Sequence, residues 1–125
     1  MSPRVTYVVA RVLIASAFFG FGLEPLLGAA GILTGRGTPT KAWLFFYGFQ
    51  ALAGILLMMG WQATRLTIVM AVMMAVDAFS VHPFWSFQGV EQHGHLMHFL
   101  KDLSVIGGLV LVSWVAEQES PRPRH

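Results

Sequence analysis

The sequence predicts an all-α integral membrane protein, a four-helix bundle with both termini on the same side of the membrane. Of its 125 residues, 55% are hydrophobic and only 11% are charged, whereas a typical soluble domain carries about 25% charged residues. A soluble chain this short has too little interior to hide that much apolar surface, but a lipid bilayer can cover it. The apolar residues also fall into four segments, each close to the ~20 residues that a helix needs to cross the hydrocarbon core.

Stretches of helix-breaking residues separate the four segments and delimit a single predicted domain over residues 1–116. The predicted membrane spans cover residues 5–27, 42–61, 65–81 and 97–116. A loop rich in Gly, Pro and Thr at residues 28–40 follows the first span, and a short turn at residues 62–64 follows the second. Pro83 ends the third span, because proline lacks an amide donor and restricts the residue before it. The polar tail at residues 117–125 holds two prolines and is predicted to be disordered.

The basic residues predict the orientation of the spans. They divide unevenly, with Arg4, Arg11, Arg65, Arg122 and Arg124 on the side of the termini and Arg36, Lys41 and Lys101 on the other. Because cytoplasmic loops carry the excess of Lys and Arg, this division favours cytoplasmic termini. The first span is longer than the roughly 7–15-residue apolar core of a signal peptide, so we interpret it as a retained membrane helix.

Several classes of function are disfavoured by composition. The chain contains no cysteine, which excludes disulfides, thiol relays and cysteine metal sites within it. Its net charge of +2 is not gathered into a basic patch, so we expect no nucleic-acid partner. A phosphate-binding glycine loop, a nucleophile elbow and a His-Glu-x-x-His helix are all absent from the sequence. Whether the chain is an enzyme is left open, and any catalysis requires a bound cofactor or a partner.

A set of polar residues is predicted to converge near the membrane face opposite the termini. At about 1.5 Å of helix rise per residue, they all fall within roughly 10–15 Å of that face. The set comprises Glu24, Gln50, Asp77, His82, His98, Lys101 and Asp102. Charged groups at the edge of a membrane helix are costly, so they usually have partners or a function.

Two interpretations of this set are open. In the first, Lys101 pairs with Asp77, Asp102 or Glu24 and only locks the bundle together. In the second, a head-group pocket is formed by His98, Lys101, Asp77, His82 and Trp85, where Trp85 and Phe84 act as a stacking lid. Glu24, Gln50 and Asp102 then form a supporting network. A quinone suits such a pocket, because its ring needs an aromatic slot, its carbonyl oxygens need polar groups and its isoprenoid tail needs access to lipid.

A histidine-rich segment offers a weaker candidate for a zinc, nickel or copper site. His93, His95 and His98 lie within six residues, with Glu91 nearby, and these side chains are metal ligands in proteins. Gly94 is expected to make the segment a flexible loop, and no second cluster fixes a coordination geometry. We therefore interpret the segment as a solvated loop and predict no native metal site there.

The strongest family signal lies at the start of the fourth span. Residues 98–108 read HFLKDLSVIGG, which resembles the His-Phe-Leu-Lys-Asn-x-x-x-x-Gly-Gly signature of the DoxX family of small bacterial four-helix membrane proteins. The likeness runs over most of the chain and includes Arg11, Phe18-Phe19-Gly20, the glycine-containing second span ending at Gly60, Arg65 and His82-Pro83-Phe84.

Two residues depart from the family pattern. Asp102 stands where the family commonly has Asn, which adds a negative charge beside Lys101. Glu24 stands close to a place where a Lys is often found, so the charge of the pocket differs from the family's usual one. Of the histidine-rich segment, only His98 matches the motif.

The resemblance implies a multi-pass protein of the bacterial cytoplasmic (inner) membrane. Some DoxX-like proteins are linked to quinone-coupled sulfur oxidation, to terminal oxidases or to membrane complexes that handle thiol and oxidative stress. Without cysteine, this chain cannot itself exchange thiols. We therefore expect an accessory membrane subunit of a quinone-linked redox system, with the bilayer and a redox enzyme as partners and quinone as the possible cofactor. The alternatives are a non-enzymatic scaffold or assembly factor, and a small carrier that would need to form a homo-oligomer.

Overall fold

Four α-helices account for most of the described chain. The structure is a computed structural model that describes residues 2–32 and 40–119. The helices are α1 (Pro3–Ala29), α2 (Lys41–Met59), α3 (Ala63–Val81) and α4 (Gly89–Glu119), with one 3₁₀ turn at Phe84–Ser86 between the last two. All four helical segments are long and apolar enough to cross a membrane. The prediction of an all-helical chain with four such helices is confirmed.

The chain divides into two compact units, residues 1–62 and residues 63–125. The first unit is the hairpin of α1 and α2. Ser2 caps α1, because its side-chain oxygen accepts a hydrogen bond from the Val5 amide at 3.3 Å. The second helix of the unit, α2, ends at Met59, just before Gly60, which has a φ of +82°. Glycine adopts this left-handed conformation without steric cost, and it is the usual residue after a helix C-terminus.

Two glycines allow α1 and α2 to approach closely. A Cβ at Gly22 would overlap the backbone of Tyr47 and Ala51, and a Cβ at Gly54 would lie 2.7 Å from the amide nitrogen of Phe19. Small residues of this kind let helix backbones meet in lipid, where packing rather than the hydrophobic effect drives association. Phe18 and Leu57 are fully buried in this unit.

The second unit is the hairpin of α3 and α4. Its core contains Met70, Met74 and Leu109, none of which is exposed. The two methionines thus act as packing residues, a common use of this flexible side chain. At the end of the hairpin near the start of α3, the Ser113 hydroxyl donates to the Thr64 carbonyl at 3.3 Å.

The turn between α3 and α4 follows from its sequence. Pro83 cannot continue α3, which ends at Val81. The 3₁₀ turn at Phe84–Ser86 then redirects the chain, and Gly89, with a φ of +66°, begins α4. This turn places His82 between the end of α3 and the first half of α4.

The fourth helix differs most from its prediction. It begins at Gly89, whereas the span predicted from hydropathy begins at residue 97. The expectation that the histidine-rich segment is a loop is therefore wrong. An α-helix satisfies its backbone hydrogen bonds internally whether its side chains are polar or apolar. The polar residues before the apolar stretch, and the single Gly94, therefore do not prevent α4 from starting at Gly89.

The remaining boundaries lie close to the predicted ones. Residues 117–119, predicted as part of a disordered tail, are the last residues of α4. Most of the tail, residues 120–125, and most of the predicted loop, residues 33–39, lie outside the described residues.

Candidate functional site at the α3–α4 turn

The second unit contains six of the eight residues predicted to form the pocket and its network. These are Asp77, His82, Trp85, His98, Lys101 and Asp102. Asp77 lies one turn before the end of α3, Trp85 is in the 3₁₀ turn, and the last three residues lie along the first half of α4. The other two predicted residues, Glu24 and Gln50, belong to the first unit.

His82 is the central residue of the cluster. Its Nε2 lies 3.7 Å from Oδ2 of Asp77, and its Nδ1 lies 3.3 Å from Nδ1 of His95. Its ring also stacks on that of His98, with centroids 4.8 Å apart and an interplanar angle of 16°. His82 therefore joins the end of α3 to two successive turns of α4.

Lys101 extends the cluster along α4. Its Nζ lies 3.2 Å from Nδ1 of His98, which is three residues earlier and so on the same face of the helix. The same ammonium lies 4.0 Å from Oδ1 of Asp102. The lysine side chain is 40% exposed and the aspartate side chain only 1%, so Lys101 lies between the surface and a buried carboxylate.

Asp102 is an unusual residue for an apolar helix pair. It is buried, and its Oδ2 has no hydrogen-bond partner within residues 2–32 and 40–119. Asp77, His82 and Asp102 each offer one atom that can bind a metal ion, and these three atoms lie within 4.8 Å of one another. Buried carboxylates are normally paired, hydrogen-bonded or bound to a metal.

Four aromatic rings pack together beside the polar cluster. Phe99 makes edge-to-face contacts with Phe79 and Phe84, each at 5.3 Å between centroids, and with Trp85 at 6.1 Å. Edge-to-face geometry is the favourable arrangement for aromatic pairs. Phe79 and Trp85 are 58% and 54% exposed, so the ring cluster presents an apolar face outwards.

Sequence reasoning missed three of the contacting residues. Phe79 and Phe99 were not predicted to belong to the site, although Phe99 lies within the family-like motif and Phe79 is one turn before His82. His95 was considered only as part of a surface metal site. Its spacing of three residues before His98 was the available signal, because residues three apart share a helix face.

The predicted metal candidate is not assembled from its three histidines. His95 and His98 both contact His82, and the His95 ring also stacks on Phe87 at 4.1 Å. His93 is exposed on α4 and has none of these contacts. The only group of three or more His, Asp and Glu side chains close enough to share an ion, among the described residues, is the set of Asp77, His82 and Asp102.

In the first unit, Gln50 is 2% exposed and Glu24 is on the surface. The Oε1 of Gln50 has no hydrogen-bond partner within the described ranges. Arg11 of the same unit lies over the ring of Tyr7, with 5.2 Å from Cζ to the centroid, and its Nη2 donates to the Met58 carbonyl at 3.5 Å. Arg11 therefore connects the two helices.

An apolar groove of about 460 Å³ runs along the second unit. It is lined by Thr67, Ile68, Ala71, Val72, Ala75, Leu109, Val110, Ser113, Trp114 and Glu117. These residues lie nearer the other end of the hairpin than the polar cluster does, so the groove and the cluster are separate features.

Comparisons with known proteins identify no relative of this chain. No family model, no curated protein and no solved structure matched it.

Proposed function

We propose that the chain is a DoxX-like integral membrane protein that binds a quinone head group at the α3–α4 turn. In this proposal it is an accessory subunit of a quinone-linked redox system in the bacterial cytoplasmic membrane. In the membrane its four helices form a bundle. The even number of spans puts both termini on one side, and the distribution of basic residues makes that side the cytoplasmic one.

The observation that carries the proposal is the juxtaposition of a donor-bearing polar cluster and an exposed aromatic cluster on one helix pair. Lys101 and His98 carry N–H groups that can donate to the carbonyl oxygens of a quinone, and their nitrogens are 3.2 Å apart. Phe79 and Trp85 offer ring faces for stacking and are more than half exposed. A ligand with a planar polar ring and an apolar tail combines these two needs.

Asp77 and His82 have a supporting role in this proposal. The 3.7 Å approach of His82 Nε2 to Asp77 Oδ2, together with the stacking of His82 on His98, holds the His98 ring in place. A positioned imidazole loses less conformational entropy when a ligand binds, which favours binding.

A purely structural network is the second candidate. It is supported by the partners that these polar side chains already have within the second unit: Asp77 with His82, His98 with Lys101, and Lys101 with Asp102. In that case the chain is a membrane scaffold or assembly factor. Removal of one member of a buried ion pair lowers the free energy of unfolding by about 3–5 kcal/mol. The loss is expected to be smaller for the pair of Lys101 and Asp102, because the Lys101 side chain is 40% exposed.

Native mass spectrometry of the chain released from lipid nanodiscs tests the first candidate. We expect an adduct with the mass of a quinone on the wild-type protein, and its loss in Lys101→Ala and in His98→Ala. Lys41→Ala and His93→Ala are the matched controls, since both residues are exposed and lie outside the cluster. Both controls should keep the adduct.

The same variants separate the two candidates. Thermal unfolding of each variant is measured beside quinone binding. Loss of the adduct with an unchanged unfolding temperature supports the quinone site. A quinone adduct kept in both Lys101→Ala and His98→Ala, or absent from the wild-type protein after addition of a quinone, refutes it, and a clear fall in unfolding temperature then favours the scaffold.

A further inference from the structure

We propose that Asp77, His82 and Asp102 bind one divalent transition-metal ion such as Zn²⁺ or Mn²⁺. Two carboxylate oxygens and one imidazole nitrogen from these residues lie within 4.8 Å of one another. They come from three places in the hairpin: α3, the residue after it, and α4. The proposal does not rest on quinone binding, because it is argued from the positions of these three side chains. Its test accordingly uses metal ions alone.

The buried carboxylate of Asp102 is the first observation that points to a cation. This side chain is 1% exposed, and its Oδ2 has no hydrogen-bond partner within the described parts of the chain. Lys101 approaches only the other oxygen, with 4.0 Å between Nζ and Oδ1. A buried, unsatisfied carboxylate oxygen is costly. A metal ion beside Asp77 supplies the missing partner.

The geometry of His82 is the second observation. Its Nε2 is 3.7 Å from Asp77 Oδ2, which is too long for a hydrogen bond. A histidine nitrogen at about 2.0–2.1 Å and a carboxylate oxygen at about 2.0–2.2 Å from one zinc ion lie roughly 3.3–3.7 Å apart at angles from about 109° to about 120°. The distance between these two atoms therefore matches ligands that share an ion.

His95 completes the arrangement around His82. Metal-bound histidines usually donate their second ring N–H to a neighbouring acceptor, which fixes the tautomer and the ring orientation. The two Nδ1 atoms of His82 and His95 are 3.3 Å apart. When His82 donates from Nδ1, its Nε2 lone pair faces Asp77. His95 is then a positioning residue, not a ligand.

Charge gives a third argument. Asp77 and Asp102 bring two carboxylates to one point, and Lys101 brings one ammonium near Asp102. Carboxylates confined in an apolar helix pair need compensating positive charge. A divalent ion provides it, and carboxylate and imidazole are ligands that Zn²⁺ and Mn²⁺ accept. A proton shared between the two carboxyl groups is the competing explanation.

Metal titration of the full chain in nanodiscs tests the proposal. The protein is stripped with a chelator, then titrated with ZnCl₂ in a calorimeter and with MnCl₂ in an electron paramagnetic resonance experiment. We expect one ion per chain. Asp102→Asn keeps the size of the side chain but removes its charge, so it should weaken Zn²⁺ binding at least tenfold. His93→Gln, an exposed histidine on the same helix, is the control and should bind like the wild type.

Two outcomes overturn the proposal. If the wild-type chain binds neither ion stoichiometrically, a shared proton explains the two carboxyl groups. If Asp102→Asn and His82→Gln both bind Zn²⁺ as tightly as the wild type, the ion lies on exposed histidines instead. Circular dichroism checks that each variant is folded, and His82→Gln locates the ion if Asp102→Asn does not fold. Quinone binding by the metal-free protein is measured separately, so failure of one proposal is distinguishable from failure of the other.

Discussion

Replacement of Gly54 by alanine tests the closest contact between α1 and α2. A Cβ at residue 54 would lie 2.7 Å from the Phe19 amide nitrogen and 2.9 Å from the Ala15 carbonyl oxygen. Non-bonded carbon atoms are most stable at about 3.5–4.0 Å, and the energy rises steeply at shorter distances. Both neighbours are backbone atoms of α1, so they cannot rotate away as a side chain does. The whole helix must move by about 0.5–1 Å to make room.

A second glycine on α2 provides the matched control. Nothing lies within 4 Å of a Cβ built on Gly48. An alanine there brings only the gain in helix propensity, about 1 kcal/mol. Gly54→Ala brings the same gain and also the overpacking cost of about 1–3 kcal/mol. We therefore expect Gly54→Ala to have a free energy of unfolding about 1–3 kcal/mol lower than Gly48→Ala.

Unfolding of both variants in mild detergent measures this difference. The helical signal is followed by far-ultraviolet circular dichroism while a denaturing detergent is added, and the wild-type protein is measured in parallel. Equal stability of the two variants would show that Gly54 is not at a tight helix contact, and the described packing of α1 against α2 would then be incorrect.

The end of α2 allows two more predictions, checked by the same unfolding measurement. Arg11→Met should lower the free energy of unfolding by about 1 kcal/mol, because it removes a hydrogen bond to the Met58 carbonyl and a cation–π contact with Tyr7; an unchanged stability would contradict that role. Gly60→Ala should cost about 1–2 kcal/mol, because Gly60 has a φ of +82°. Gly107→Ala, inside α4 with open space around a Cβ and no positive φ, is its control and should gain about 1 kcal/mol from helix propensity, as at Gly48; an equal loss in both would refute the strain argument.

The helices were predictable from sequence because their causes are local. The boundaries of three of the four helices follow, to within a few residues, from the continuous apolar stretches, from Pro83 and from Gly60. The start of α4 was not predictable in this way. Six of its first eight residues are polar or glycine, and nothing in their hydropathy distinguishes a helix from a loop.

The helix contacts were predictable only in kind. The sequence holds small residues four positions apart, such as Ser16 and Gly20, and such pairs let helix backbones approach in lipid. In the structure, a Cβ on Gly20 meets nothing within 4 Å, whereas Gly22 and Gly54 are the crowded positions. Which face of a helix meets its neighbour depends on the rotation of both helices, and nearly uniform hydrophobicity around each helix does not specify it.

The site was partly predictable for a similar reason. The spacing of His98, Lys101 and Asp102 along one helix follows from the helical period, and pairing of Lys101 with Asp102 was among the expected possibilities. The stacking of His82 on His98 depends on the path of the chain after Pro83. A turn of this kind is set by the packing of the whole hairpin, which a single sequence does not reveal.

The length and continuity of α4 have a mechanical consequence. The helix runs without interruption from Gly89 to Glu119, so its two ends move as parts of one rod. His98 contacts His82 near one end, and Ser113 holds the Thr64 carbonyl about 22 Å further along the rod. A displacement of α4 at the histidine end would therefore reach its contact with the start of α3 through the helix itself, without any rearrangement of a loop.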